Sequence, residues 1–567
     1  MIAQSTKSGG WELISSPLVL LGLVLLGLAL LDQQGALGRG SRKLTALHNL
    51  GGRILVKVAK RAGPSCGAVL EPLVTRILTH RQAPQYTEAL RMVVRDSATI
   101  LMEQPGLLAD LVEHLQTLSY FTARRVLTAI MPLVRLKRAL RDSVILVLRK
   151  ALFSRSVAAR QTAVTGVLLL LRTFKISTSR AVSQLSQSSG SLSQLTLEAG
   201  RGGASSHDTL CSELLGVLRR CFTLRAEVKL TLYHGLSDVV AKNPELCESV
   251  LELLYSHTVS LVAAAEVQLD RCVAELEGDW QVVEPAGWFL HCTQLLVSRG
   301  QQLLGEESTE ILERLLELLH NMAQFYSDTS AGELGFEDTD NYDKKTAEGE
   351  RRSLKLDVLL TVMEALMEFL VTHGGESEEG KAGFLLKLQQ RHGELARCRQ
   401  EALARRQNKG KKGRKGEELK KGEEGGDKEK EKEAGNKRGR PASYSPSRFT
   451  MPGHCFSLKA LSILVAGVLE DRQPRRQAAL NILREDTGFL AWLMSVVAAK
   501  LQELAASLAV TGDEGPQHDI MFRHLVSLTA SLFQHSVLRE ERVGPALLPG
   551  VSSLAAALRI LLPTFPR

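Results

Sequence analysis

The sequence is poor in aromatic residues and lacks long alternating hydrophobic segments. Aromatic residues make up 5% of the 567 residues, although the apolar content reaches 44%. Leucine, alanine and valine supply most of that content, a bias that favours packed helices over sheets. No segment alternates between polar and apolar residues for long enough to predict a half-buried strand. The sequence therefore predicts an all-α protein.

The eight cysteines form no C-x-x-C pair and have no histidines at metal-ligand spacing. This pattern argues against both a disulfide framework and a zinc site. Isolated cysteines in helical segments are typical of free thiols in a reducing compartment. We therefore expect no metal or other cofactor, and we expect the cytoplasm or the nucleus as the compartment.

Enzyme motifs are also missing. The sequence contains no H-E-x-x-H, no G-x-S-x-G and no kinase signature. The nearest match to a phosphate-binding loop, Gly375-x4-Gly380-Lys381, has Ala382 where a metal-binding Ser or Thr is required. The loop also contains glutamates, which would repel phosphate. The sequence therefore predicts a protein that is not an enzyme and has no small-molecule substrate.

The net charge of +9 is concentrated in one segment. Residues 405–440 contain 15 Lys/Arg and 8 Asp/Glu, a net charge of +7, which leaves +2 for the rest of the chain. Overall basicity is therefore no argument for nucleic-acid binding. The segment is either a solvated spacer or a nuclear-import signal. Specific DNA contact is disfavoured because no aromatic residues interleave the charges.

Amphipathic helices with short breaks dominate the remaining sequence and predict degenerate HEAT-like repeats, in which each helix pair packs on the next. The predicted domains are an α-solenoid at 1–175, a Ser-rich disordered linker at 176–208, a helical domain at 209–404 with an acidic loop at 327–350, a basic low-complexity linker at 405–450, and the start of another α-solenoid at 451–567.

Residues 17–31, PLVLLGLVLLGLALL, form an uninterrupted apolar run. The run is shorter than the roughly 20 residues that a membrane span requires. Lys7 is the only positive charge before it, and no clear cleavage site follows, so a signal peptide is disfavoured. We interpret the run as a buried solenoid helix, with a membrane anchor as the alternative.

The segment from Arg141 to Lys175 carries a lysine helix. Helical geometry places Val144, Val147, Leu148, Ala151 and Leu152 on one apolar face. On the same geometry, Lys150 points away from that face, beside Leu146 and Phe153. Two interpretations follow: an ordinary solvated lysine, or a lysine at the edge of a surface that buries Leu146 and Phe153 against another chain.

All three Ser-Gln pairs of the chain lie in the Ser-rich segment that follows, at Ser183, Ser186 and Ser193. Checkpoint kinases of the ATM/ATR class prefer a Ser or Thr that is followed by Gln. Each phosphate would add nearly two negative charges. The clustering favours a phosphorylated segment over a plain Ser-rich linker.

Several stretches together resemble the Fanconi anaemia complementation group I family, in collinear order over nearly the whole chain. The matching residues are RDSVILVLRKALF (141–153), VTGVLLLLRTFK (164–175), Leu218-Arg219-Arg220-Cys221, Leu232-Tyr233, Gly235, Asp238-Val239, Asn243, Ser249-Val250, SLKALSILVAGVLE (457–470) and the helix from Phe489.

This resemblance implies an α-solenoid scaffold that pairs with the Fanconi anaemia group D (type 2) paralogue on double-stranded and branched DNA and serves interstrand-crosslink repair. The family's monoubiquitinated lysine corresponds to Lys150, within Leu148-Arg149-Lys150-Ala151. The family's phosphorylated serines correspond to Ser183 and Ser186, and to Ser193 with one extra preceding residue. Implied partners are a ubiquitin ligase with its conjugating enzyme, a ubiquitin-specific protease and an ATM/ATR-class kinase.

The resemblance further implies a nuclear protein, partly cytoplasmic, that associates with chromatin after DNA damage. Residues 1–175 would correspond to the family's second solenoid. We expect the chain to be a central portion that lacks the family's N-terminal and C-terminal regions. The alternative from another class is a generic HEAT-like trafficking or scaffold protein, tethered to a membrane through residues 17–31.

Overall fold

The computed structural model describes residues 17–33, 42–80, 84–102, 106–175, 206–304, 309–337, 339–373, 378–420, 449, 451–469, 482–483 and 486–511, with the single positions 523, 527, 552 and 555. The chain forms two compact units, Met1–Leu253 and Leu254–Arg567. The described residues form 18 α-helices and two short hairpins. The predicted all-α class is therefore confirmed.

The first unit is a series of helices joined by short turns, three of which are 3₁₀ turns at Gly63–Cys66, His114–Gln116 and Pro244–Leu246. The helices are α1 (Pro17–Asp32), α2 (Arg42–Ala62), α3 (Gly67–Thr79), α4 (Pro84–Met102), α5 (Gly106–Glu113), α6 (Tyr120–Leu136), α7 (Arg138–Leu152), α8 (Val157–Thr173), α9 (Ser206–Cys221) and α10 (Ala226–Lys242). The next helix, α11 (Cys247–Leu261), contains the division between the units.

These helices pack in two rows. Helices α1, α3, α5 and α7 follow one another in the first row, and α2, α4, α6, α8 and α10 follow one another in the second. Consecutive helices such as α1 and α2, or α7 and α8, connect the rows. Stacking of each helix on the helix two places further along is the packing of an α-solenoid. The predicted solenoid is therefore confirmed.

Side-chain caps define where the solenoid helices start. The hydroxyl of Ser119 accepts a hydrogen bond from the backbone N–H of Thr122 at 3.3 Å, and Ser156 caps α8 in the same way. These caps satisfy backbone donors that have no partner within the helix. The buried Asn243 amide donates to the carbonyls of Leu171 and Phe174, at 3.1 and 2.9 Å, and so fixes the end of α8.

The apolar run at 17–31 forms α1. Its Val24, Leu28 and Leu31 are buried, and Gly27 approaches Gly51 of α2 so closely that a Cβ on Gly51 would lie 2.7 Å from the Gly27 carbonyl oxygen. The run thus packs as a solenoid helix. In the part of the chain that the structure describes, no helix combines the length and apolar content needed to cross a membrane.

The second unit is also helical but contains a non-helical insertion. Its elements after α11 are β1 (Val262–Ala263), β2 (Glu266–Val267), α12 (Leu269–Cys272), β3 (Val273–Leu276), β4 (Asp279–Val282), α13 (Ala286–Leu304), α14 (Glu310–Asp328), α15 (Ala347–Thr372), α16 (Glu378–Lys420), α17 (Leu458–Leu469) and α18 (Thr487–Thr511). Helix α15 lies at the centre of this unit and contacts α13, α14, α16 and α17.

The two hairpins differ from the continuous helical pattern that the sequence predicts near this point. Strands β1 and β2 pair antiparallel around Ala264 and Ala265, and β3 and β4 pair around Glu277 and Gly278. All four turn residues have positive φ angles, from 50° to 89°. Turns with positive φ match the twist of the two strands that they join in a two-residue hairpin. An α-helix cannot continue through them. The backbone N–H of Val267 donates to the Tyr326 hydroxyl at 3.0 Å, which anchors the first hairpin.

Helix α16 continues to Lys420 and therefore enters the range 405–450 that the sequence assigns to a low-complexity linker. Lysine, arginine and glutamate are frequent between 401 and 420, and all three have high helix propensity. Residues 421–448 lie outside the described part of the chain.

Gly287 marks a close approach of α13 to α15, because a Cβ at this position would overlap the backbone of Thr361. We expect Gly287→Ala to lower the free energy of unfolding of the second unit by about 1–3 kcal/mol through overpacking. Urea unfolding followed by tryptophan fluorescence would measure this loss of stability, since Trp280, Trp288 and Trp492 lie in the second unit.

Gly383→Ala is the matched control, because Gly383 lies within α16 with nothing near its Cβ position. This substitution should be neutral or stabilise by about 0.5–1 kcal/mol. An equal effect of the two substitutions would contradict the close approach.

Candidate functional site

The lysine helix α7 lies at the end of the first row of the solenoid. It begins after Lys137 and ends at Phe153, whose backbone N–H donates to the Lys150 carbonyl at 3.2 Å. A short turn through Ser154 then leads to Ser156, the cap of α8. The C-terminal end of α7, which carries Lys150, is therefore held by the tight connection to the next helix.

One face of α7 forms the core of the solenoid. Its buried residues are Leu140, Val144, Val147, Leu148, Ala151 and Leu152. These contain the five residues that helical geometry assigns to the buried face, so this prediction is confirmed. Leu148 packs closely on α8, since a Cβ on Gly166 would lie 2.5 Å from its side chain.

The second face of α7 is apolar in part and open. Leu146 is 54% exposed and Phe153 is 77% exposed. Lys150 is also exposed, and it forms no side-chain hydrogen bond or ion pair with the residues that the structure describes. We call Leu146, Lys150 and Phe153 the open face of α7. Within the described residues, this face therefore offers exposed apolar side chains beside an exposed lysine.

The segment with the three Ser-Gln pairs lies outside the described residues, and so do Ser183, Ser186 and Ser193. Its two ends are described. The described residues before this segment end at Lys175, and those after it begin with α9 at Ser206. Helix α9 therefore starts within the range 176–208 that the sequence assigns to a linker. The Cys211 thiol donates to the Phe174 carbonyl at 3.5 Å, so the two ends lie side by side.

Both ends of this segment contact α7. The guanidinium of Arg141 lies over the Phe174 ring, 5.3 Å from its centroid. At the other end of α7, Arg149 forms an ion pair with Glu213 of α9. Helix α7 thus carries Lys150 and also contacts residues on both sides of the Ser-Gln segment. The sequence contains both features but does not show that they meet on α7.

The thiols near this surface are not nucleophiles. Burial raises the pKa of Cys211 to about 12, with a further contribution from the charge of Asp208. Burial also raises the pKa of Cys221 to about 12. Both thiols therefore remain protonated at neutral pH. All eight cysteines lie in the described residues and none forms a disulfide.

The second unit contains a buried polar cluster that the sequence reasoning missed. Glu364 and Glu368 of α15 are 3% and 0% exposed. His291 lies 3.3 Å from Glu368, and His392 and His454 face Glu364. Two glutamates one helical turn apart in the apolar stretch LLTVMEALMEFLVT are the signal that indicates the cluster. Within the described residues, no group of histidine, cysteine and acidic side chains has a metal-binding arrangement.

These observations define the class of the protein. It is an all-α protein in which an α-solenoid is followed by a helical unit, and one solenoid helix presents a partly apolar face with an exposed lysine.

Comparison with known proteins then gives the family. The profile described as FANCI solenoid 2 matches residues 15–168, and the profile described as FANCI helical domain 2 matches residues 182–400. The chain is 25% identical over 501 residues to the Fanconi anemia group I protein of Gallus gallus, and 24% identical over 548 residues to the Fanconi anemia group I protein homolog of Mus musculus. The chain belongs to the Fanconi anaemia group I family.

The two alignments cover 85% and 92% of this chain but 34% and 38% of the relatives. The chain therefore spans about a third of the length of the curated relatives it matches.

The two faces of α7 should respond differently to truncation. Leu148→Ala removes buried side-chain volume next to Gly166 and should lower the free energy of unfolding by about 2–5 kcal/mol. Leu146→Ala, two residues away on the open face, should change it by less than about 0.5 kcal/mol. Urea unfolding followed by far-ultraviolet circular dichroism would measure both. A large loss for Leu146→Ala would show that the open face is covered within the chain itself.

Proposed function

We propose that this chain is a non-enzymatic scaffold of the Fanconi anaemia pathway, acting in the repair of interstrand crosslinks. Membership of the group I family supports the pathway. In this proposal the chain pairs with the group D (type 2) paralogue on double-stranded and branched DNA. It acts in the nucleus, with a cytoplasmic fraction, and associates with chromatin after DNA damage.

The proposed acceptor of monoubiquitin is Lys150. An acceptor lysine must reach the thioester of a conjugating enzyme, and Lys150 is exposed near the end of a rigid helix. Leu146 and Phe153 flank it with apolar surface that a ligase or the paralogue can cover. Once conjugated, ubiquitin would enlarge the contact between the paired chains around DNA, and a ubiquitin-specific protease would reverse the modification.

The proposed regulatory sites are Ser183, Ser186 and Ser193, phosphorylated by a checkpoint kinase of the ATM/ATR class. The observation that carries the whole proposal is the contact of α7 with both ends of this segment, through Arg141 and Arg149. Each phosphate carries between one and two negative charges at neutral pH. Phosphates on the segment between these two contacts would compete with Glu213 for Arg149, the residue directly before Lys150. Phosphorylation would thereby change the surroundings of the acceptor lysine.

Lys150→Arg should abolish the monoubiquitinated band in a reconstituted reaction with the pathway's ligase, its conjugating enzyme, the paralogue and DNA. Arginine keeps the charge but has no primary amine that can form an isopeptide bond. Lys137→Arg is the control, because Lys137 is a partly exposed lysine at the other end of α7. An unchanged band with Lys150→Arg would rule out this lysine as the acceptor.

Replacement of Ser183, Ser186 and Ser193 by Ala should reduce damage-induced monoubiquitination several-fold in cells, because the segment can no longer gain the negative charge that would compete for Arg149. Ser188, Ser189 and Ser191 lie in the same segment without a following Gln, and their replacement by Ala is the control. Equal modification in the two triple variants, measured by immunoblot after crosslinker treatment, would remove the proposed switch.

A further inference from the structure

The carboxylates of Glu364 and Glu368 are isolated from water in the centre of the second unit. They lie one turn apart on α15 and are 3% and 0% exposed. A buried carboxylate is strongly destabilising unless hydrogen-bond donors or opposite charges compensate for the lost hydration. The compensating groups come largely from one short segment of the chain, residues 454–457, which we call the strap.

The strap supplies two donors to Glu364. The imidazole Nδ1 of His454 lies 2.5 Å from the Oε1 atom, and the backbone N–H of Cys455 donates to the Oε2 atom at 2.9 Å. The Cys455 thiol also donates to the Thr361 carbonyl of α15 at 3.3 Å. Because an imidazole and a backbone amide converge on one carboxylate, Glu364 contacts both the His454 side chain and the backbone of the strap.

The strap also supplies two donors to Glu368. The backbone N–H of Ser457 donates to Oε2 at 2.7 Å, and its hydroxyl donates to Oε1 at 2.7 Å. The same hydroxyl accepts from the backbone N–H of Ala460 at 3.1 Å, within the first turn of α17. Glu368 therefore fixes the strap and at the same time orients the cap of the next helix.

Helix α18 also contacts the strap. The ammonium of Lys500 donates to the His454 carbonyl at 3.0 Å. The Phe456 ring packs edge-on against Trp492, with ring centroids 5.8 Å apart. Apolar packing thus accompanies the polar contacts, and an experiment must separate the two.

We propose that Glu364 and Glu368 form a binding site for the strap, so that the strap, α17 and α18 dock on α15 without depending on the covalent connection through residues 421–448. The site recognises a non-helical segment through four groups of that segment. They are two backbone N–H groups, the Ser457 hydroxyl and the His454 imidazole. The docked segment belongs to this same chain. The basic segment at 421–448 can then be cut, modified or bound without release of the residues that follow it.

The strength of this docking should depend on pH. Burial alone raises the pKa of Glu364, but hydrogen bonds with His392 and His454 lower it to about 2. Burial lowers the pKa of His454, but its bond to Glu364 raises it above the ordinary value of 6.5. The other titratable groups facing the site are Glu368 of α15, His291 of α13, His392 of α16, Cys455 of the strap, and Lys500 and Glu503 of α18.

The directions of the two pKa shifts define a pH range in which the docking is strongest. The contribution of Glu364 is present above its ordinary pKa of 4.5 and is lost as the pH falls towards 2. The contribution of His454 is present below 6.5 and is lost as the pH rises through its raised pKa. Docking should therefore be strongest between about pH 4.5 and 6.5 and weaken at higher pH.

The test uses the full chain with a site-specific protease sequence placed between 421 and 448. After folding and cleavage, size-exclusion chromatography and native mass spectrometry should show the two pieces together. Glu364→Gln with Glu368→Gln keeps the shape but removes both charges, and should weaken the association of the pieces at least tenfold. Asp357→Asn is the matched control, because Asp357 is a half-exposed carboxylate of α15 that pairs with Arg399 of α16 and not with the strap.

Two results would overturn the proposal. One is separation of the pieces of the unchanged chain upon cleavage. The other is equal association for the double variant and for Asp357→Asn, which would assign the docking to apolar packing alone. If the double variant does not fold, Ser457→Ala and His454→Gln alter the strap and leave α15 intact. Both should weaken association several-fold, and His454→Gln should also flatten the rise in association that occurs as the pH falls to 6.5. No weakening in either would reject the binding site.

Discussion

The row packing of the first unit determines which surfaces of its helices remain available. A single amphipathic helix cannot bury its apolar face alone, so each helix depends on the one two places along. Helix α8 contacts α6, α7 and α10 and is buried almost all round. Helix α7 packs mainly on α5, α6 and α8, which leaves Leu146, Lys150 and Phe153 open. The exposure of Lys150 is therefore a consequence of its position at the end of the first row.

Local periodicity made the faces of α7 predictable, because burial on a helix repeats within a few residues. The hairpins were missed because their strands have two or four residues and are defined by turns with positive φ, such as Ala264-Ala265. The buried carboxylates could not be paired from sequence either. Glu364 binds His454, 90 residues further along the chain, and no pattern of local spacing specifies such a contact.

The two units are held together by different kinds of contact. Residues that carry the family resemblance in the first unit, such as Leu218, Leu232 and Asn243, are buried. Gly235 belongs with them, because a Cβ there would lie 2.5 Å from Leu168. Packing of this kind constrains residue size and tolerates exchange elsewhere. In the second unit, α15 adds buried carboxylates whose donors must be present at defined atoms, a stricter requirement than volume.

The anchored ends of the Ser-Gln segment would give the proposed switch a short range of action. Phe174 and Cys211 hold its ends together, and α7 contacts the residues on both sides through Arg141 and Arg149. A segment fixed at both ends keeps its charges at a high effective concentration near those anchors. Screening limits the influence of each phosphate to roughly 8–10 Å at physiological salt. In the proposed switch, phosphates would therefore act through the cations of α7 at the two ends of the segment, and Arg149 directly precedes Lys150.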